Sequence, residues 1–315
     1  MPIAPIAGSE NAYHPGGAGA RTLPPEQAYA HCLRVARRHS ENFPVASLLL
    51  PRRLRGPVAA IYAFARGADD FADEPGQAGE PGDPGERLAL LDEWGRRLEL
   101  AAAGRAEGPV FVALADAMGR FGLPAEPFRD LLSAFRQDTV KSRYEDWKEV
   151  LDYCRRSADP VGRLILPLFG HREESLVPLS DSICTALQLT NFWQDLAVDA
   201  RRGRIYLPRS DRQRHEVTEE SLMSGEAPRL PGFRPLMEEM AGRTVDLFER
   251  GRGLPDRVGG RLGFQLRLTW LGGRRILEET RRAGFDVDRR RPVLRPWTWP
   301  SLLLRSFLPL PRPGT

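Results

Sequence analysis

Asp69, Asp73, Asp195 and Asp199 stand in two pairs, each four residues apart. On a helix the two carboxylates of such a pair share a face. Carboxylate oxygens held this way are hard ligands for a divalent cation. In VAAIYAFARGADDFADE, residues 58–74, Tyr62, Arg66, Asp69 and Asp73 fall at offsets 0, 4, 7 and 11. At about 100° per residue they form one narrow stripe, with Asp70 beside it. The remaining positions are mostly Ala, Val, Ile and Phe, so the helix is apolar nearly all round and belongs inside a protein. Ionised acids are costly there unless cations oppose them.

A second stretch has the same character. In ICTALQLTNFWQDLAVD, residues 183–199, Gln188, Asn191, Asp195 and Asp199 lie at offsets 0, 3, 7 and 11 on an otherwise apolar helix. Two such helices can face each other across a cavity and share divalent ions. Magnesium is the natural ion, because it prefers carboxylates, water and substrate phosphates to an all-protein cage. The competing reading is that each acid cluster caps a helix or faces solvent. The matched geometry of the two stripes favours the metal.

FARGADDFADE and NFWQDLAVDARRGRIYLP resemble the two aspartate-rich signatures of the squalene and phytoene synthases. HSENFPVASLLLP and SADPVGRLILPLFG make the chain most similar to the hydroxysqualene synthase branch of that family, found with bacterial hopanoid pathways. The resemblance spans residues 27–290. It implies an all-α, class I isoprenoid synthase fold around a deep cavity, with magnesium as cofactor. It implies metal ligation by Asp69, Asp70, Asp73, Asp195 and Asp199, with Asn191 as a neutral oxygen ligand or hydrogen-bond partner. Tyr62 lies on the first stripe, and Arg66 and Arg204 are expected to meet the diphosphate charge. Ser40 and Asn42 of HSENF are expected to donate to phosphate, with a plain helix-end turn as the alternative.

The helical run over 143–159 breaks at SADPVG, and a break inside an apolar core leaves backbone groups to be used or capped. The family shapes its cavity floor there, which places Tyr153, Val161 and Gly162 at the substrate. A core tyrosine with a satisfied hydroxyl explains Tyr153 equally well. Gln188 on the second stripe and Tyr206 of RIYLP complete the expected substrate contacts. Arg201 and Arg202 read as a solvated face.

The chain pattern agrees with a helical protein. Helical periodicity recurs from Glu26 to Arg282 and strand signals are poor. Residues 51–57 read as a link into the first acid helix, 74–86 as a Gly/Pro/acid surface loop, and 207–232 as a mobile flap. Residues 1–23, rich in Pro, Gly and Ala, read as disordered, and 24–290 as one domain.

With 315 residues, 41% of them hydrophobic, a large core is available. A net charge of +4 and no reading motif speak against a nucleic-acid partner. Cys32, Cys154 and Cys184 fit a reduced cytosolic protein and make no CxxC metal or redox pattern, and the five histidines make no HExxH or similar ligand pair. MPIAPIAGSENAYHPGGAGA lacks the basic start and apolar core of a cleavable signal, so the expectation is cytoplasmic. The tail 291–315 combines Trp, Leu and Phe with Arg and Pro. It suits the surface of the inner membrane, or a groove on its own domain, and is too short and proline-broken to span.

The family's head-to-head synthases read N-x-x-R-D-x-G-E-D, whereas this chain has Gln194 for the arginine and Ala197–Val198 for Gly-Glu. The departure points to one diphosphate handled rather than two. The expected reaction is therefore magnesium-dependent ionisation of presqualene diphosphate with water capture. It depends on a presqualene diphosphate synthase before it and a squalene-forming reductase after it. The alternatives are a prenyl transferase making squalene or phytoene, and a non-catalytic assembly protein of the same fold.

Overall fold

The computed structural model describes residues 23–38, 50–73, 83–287 and 291–310. Among them there is no strand, only an isolated parallel bridge between Arg143 and Ile205. The fold class is all-α, as expected. The chain divides into two compact units, Met1–Thr139 and Val140–Thr315.

The first unit holds α1 (Pro25–Arg38), α2 (Arg52–Asp73), α3 (Pro84–Ala102), α4 (Pro109–Phe121) and α5 (Glu126–Asp138). The other four helices all pack against α2. Its alanines permit this, since Ala59, Ala60, Ala63 and Ala68 are fully buried and let neighbouring backbones come close. Phe64 anchors the core, edge-on to Phe111 and Phe128 and stacked on Trp94. The Trp94 indole donates to the Phe64 carbonyl at 3.2 Å, so even the α2 backbone is tied to α3.

Contrary to the expected link over 51–57, α2 starts at Arg52 and runs through Pro57. Proline there removes one bond near the helix start, from a carbonyl on the exposed Arg53 that water can satisfy.

The second unit is organised by α8 (Val177–Arg201). Around it pack α6 (Trp147–Ser157), α7 (Asp159–Leu168), α11 (Phe233–Gly251) and α13 (Gly260–Arg282). Trp193 of α8 is fully buried, and its indole donates to the Thr244 hydroxyl of α11 at 2.9 Å. Glycines set the closest approaches. A Cβ at Gly251 would lie 2.4 Å from Ile183 Cγ1 and 2.7 Å from the Leu179 carbonyl oxygen, both on α8.

The segment 207–232 is not the expected flap. It holds α9 (Arg209–Arg214) and α10 (Glu219–Met223) and buries Leu207, Asp211, Arg212, Val217, Leu222 and Ala227. Asp211 is the reason: Arg243 of α11 donates to both its oxygens, at 3.1 and 3.2 Å, which ties the segment to the core. A short helix, α12 (Leu254–Val258), leads into α13, and another, α14 (Trp299–Arg305), packs on α13.

Candidate active site

Each acid stripe lies at the C-terminal end of its helix, Asp69, Asp70 and Asp73 in α2 and Asp195 and Asp199 in α8. The helix dipole is negative there, so carboxylates at these positions are unfavourable and cap nothing. The capping reading therefore fails for both clusters. Among the described residues, neither α2 nor α8 carries an acid in its first turn, where one would help.

In the first unit, Arg66 gathers its neighbours. Its guanidinium meets Asp69 Oδ2 at 3.2 Å and Asp70 Oδ1 at 2.6 Å. Burial opposes its charge, but Asp70 and Asp69 more than offset this and hold it above the usual arginine range. Arg66 Nε is buried without a hydrogen-bond partner. Tyr62, one turn earlier, has its hydroxyl pKa raised, chiefly by burial. Arg87 of α3 donates to the Ala72 carbonyl at 2.8 Å and so closes the end of α2 that its own acids cannot. Asp73 is the last residue of α2, and its side chain lies outside the described residues, as do Ser40 and Asn42.

In the second unit, α8 carries Gln188, Asn191, Asp195 and Asp199, with Asn191 exposed and the other three half-buried. Asp195 is gripped by Arg291, whose Nε and a terminal nitrogen donate to its two oxygens at 2.6 and 3.0 Å. The preceding residue, Gln194, donates to the Pro292 carbonyl. Arg291 was not foreseen among the site residues, since nothing local to it in sequence points to an acid 96 positions away. Arg204 returns its backbone N–H to the Asp199 carbonyl at 2.8 Å, which holds RIYLP against the end of α8.

Tyr206 lies face to face with Phe192 of α8, ring centroids 3.7 Å apart, and Tyr144 and Tyr153 complete the aromatic group. Tyr153 is thus a buried aromatic wall beside α8. Phe192 was missed because a lone aromatic on an apolar helix reads as core, and Tyr144 because it stands alone in the polar segment before α6.

The break between α6 and α7 falls at Ala158. Val161 is exposed at 43%. Gly162 has a packing cause: a Cβ there would lie 2.1 Å from Ser180 Oγ and 2.9 Å from Cys184 Sγ on α8. Asp159, also missed, is only 5% exposed and accepts from the Thr185 hydroxyl at 2.7 Å. Burial pushes its carboxyl pKa up to about 7.

The donor set suits magnesium. In the first unit Asp69 and Asp70 offer hard oxygens, half-exposed rather than sealed, with an orphaned Arg66 Nε beside them. No three His, Cys, Asp or Glu converge on one point among the described residues. Magnesium does not need them to, since one or two carboxylates plus phosphate and water suffice.

A family model described as squalene/phytoene synthase matches residues 36–298. The chain belongs to the squalene/phytoene synthase family. Its enzymes act on prenyl diphosphates and are generally dependent on a divalent metal. The 15-cis-phytoene synthase of Synechococcus elongatus is 30% identical, over 89% of this chain and 94% of its own length. The hydroxysqualene synthase of Rhodopseudomonas palustris is 39% identical, over 74% of this chain and 77% of its own. The squalene synthase HpnC of Alicyclobacillus acidocaldarius superposes with a TM-score of 0.76 at 41% identity, covering 83% of this chain and 95% of that one. The fold is the class I isoprenoid synthase fold.

Proposed function

We propose that this family member is a hydroxysqualene synthase, a carbon–oxygen lyase acting on presqualene diphosphate. The observation that carries the branch is Gln194. Where head-to-head synthases have an arginine, this residue spends its amide on the Pro292 carbonyl. Relatives named hydroxysqualene synthase are 38–42% identical to the chain, against 30–34% for those named phytoene synthase. A prenyl transferase joining two prenyl diphosphates is the second reading, favoured by the longer reach of the phytoene synthase match, 89% of the chain.

In this reading Asp69, Asp70, Asp73, Asp195 and Asp199 hold magnesium, with Asn191 as a neutral oxygen partner. Magnesium when bound supplies Lewis-acid stabilisation of the leaving diphosphate. Arg66 and Arg204 take up the charge that grows on the diphosphate oxygens. Ser40 and Asn42 donate to phosphate, and Tyr62 stands on the same stripe one turn before Arg66. The rings of Tyr153 and Tyr206 shield the carbocation, with Val161, Gly162 and Gln188 shaping the substrate's surroundings. One carbon–oxygen bond to diphosphate breaks and one to water forms, and the water releases a proton. A presqualene diphosphate synthase would supply the substrate and a reductase would consume the product. The substrate's prenyl chains and the product are apolar, so peripheral work at the inner membrane surface follows. No described helix is long and apolar enough to cross a membrane.

Purified protein with magnesium and presqualene diphosphate should yield hydroxysqualene without NADPH, and incubation in ¹⁸O-water should label its hydroxyl. Efficient use of farnesyl diphosphate alone, or a product without oxygen, would promote the transferase instead.

A smaller effect is expected at Arg291, which competes with a cation for Asp195. Arg291→Gln should tighten Mn²⁺ binding, measured by electron paramagnetic resonance without substrate, by roughly two- to fivefold, the scale of a half-exposed ion pair. Weaker Mn²⁺ binding would mean that Arg291 supports the site rather than occupying it.

A further inference from the structure

The tail after α13 is two-faced. Its inner residues, Leu302, Ser306 and Leu310, recur every fourth position and are buried. The Arg252 guanidinium donates to the Leu310 carbonyl at 2.6 Å, and Leu294 reaches to 3.5 Å from where a Cβ on Gly272 of α13 would stand. The groove alternative is thus satisfied on one side. The other side presents Trp297, Leu304, Phe307 and Leu308, each between 61% and 72% exposed. Single exposed apolar residues need no explanation, but four large ones on one short segment do.

We propose that this outer face is a seat for an anionic lipid bilayer. Charge complementarity selects that occupant. Arg295 and Arg305 are exposed on the same segment, and the sequence from Arg289 to Thr315 contains no Asp or Glu. Arg295 lies over the Trp297 ring, 5.1 Å from its centroid, which pairs a headgroup-binding cation with an interfacial aromatic. Trp, Leu and Phe enter the acyl boundary while arginine stays at the phosphates. The inner anchors fix the segment to the protein, so the face is presented already ordered and less entropy is lost on docking. A second copy of the chain is the rival occupant, but it would set this arginine-bearing face against its own like charges. The surface stands whichever prenyl diphosphate the enzyme ionises.

Sedimentation of the full chain with phosphatidylglycerol-containing vesicles and with neutral phosphatidylcholine vesicles tests this. The wild type should bind the anionic vesicles at least tenfold more tightly. Leu304→Ser/Phe307→Ser/Leu308→Ser should lower that binding at least tenfold with an unchanged circular dichroism spectrum. Arg295→Gln/Arg305→Gln should remove most of the anionic preference, about fivefold per arginine. Equal binding by wild type and the triple variant would overturn the proposal. So would a wild-type dimer, seen by ultracentrifugation, that the triple substitution splits without changing vesicle binding.

Discussion

Turnover by Asp195→Asn is expected to fall on the order of a thousandfold, since a lost metal ligand removes several kcal/mol of charge stabilisation. Asn keeps the shape of the side chain and one oxygen, so no cavity opens. The stability cost should be small. Asp195 is 28% exposed and its partner Arg291 53%, so the freed guanidinium can turn to water. Asp73→Asn should behave alike in turnover, since the second stripe alone does not meet the charge of a diphosphate. The measurement is kcat at saturating magnesium beside a thermal melt. Near-normal turnover in either variant would sink the assignment of both stripes to metal. A collapse of the melt together with turnover would instead show the acid to be structural.

Asp159→Asn should stabilise the protein above neutral pH and do almost nothing near pH 4. The carboxyl is buried between α7 and α8, and desolvation is the main cause of its raised pKa, about 7 against an unfolded value near 4. Between those values the unfolded chain gives up a proton that the folded chain retains. Stability therefore falls as pH rises through this window and levels off above pH 7. The full shift corresponds to roughly 4 kcal/mol, a ceiling because water reaching the site relaxes a buried charge. Asn retains the oxygen that accepts from Thr185, 2.7 Å away in the wild type, and carries no charge at any pH. Urea unfolding of both proteins at pH 5 and pH 9 would read the difference. A gap that stays constant, or closes toward pH 9, would contradict a proton held by Asp159.

Much of the helical layout was open to reading because its signals are local. The α4 pattern needs only Gly108 before Pro109 and the left-handed Gly122 after Phe121, and both helix ends fall where expected. The stripes on α2 and α8 also needed only periodicity, and the motif wording carried the family. The errors lie where local signals mislead. Pro57 looked like a helix boundary, yet α2 continues through it, since its packing against four other helices outweighs one lost hydrogen bond. Residues 207–232 looked mobile from their Pro, Ser, Gly and charge content, and composition does not reveal that Arg243 waits for Asp211.

The sequence by itself determined the all-α class, the order of the helices, the two acid stripes and the family, because each rests on neighbours within a few turns of chain. Only the tertiary structure decided what those side chains meet. It set Arg291 on Asp195 across 96 positions, buried Asp159 deeply enough to raise its pKa to about 7, and turned Leu302 inward while leaving Leu304 outside. Burial and long-range pairing depend on which surfaces pack together, and periodicity along the chain carries no record of that.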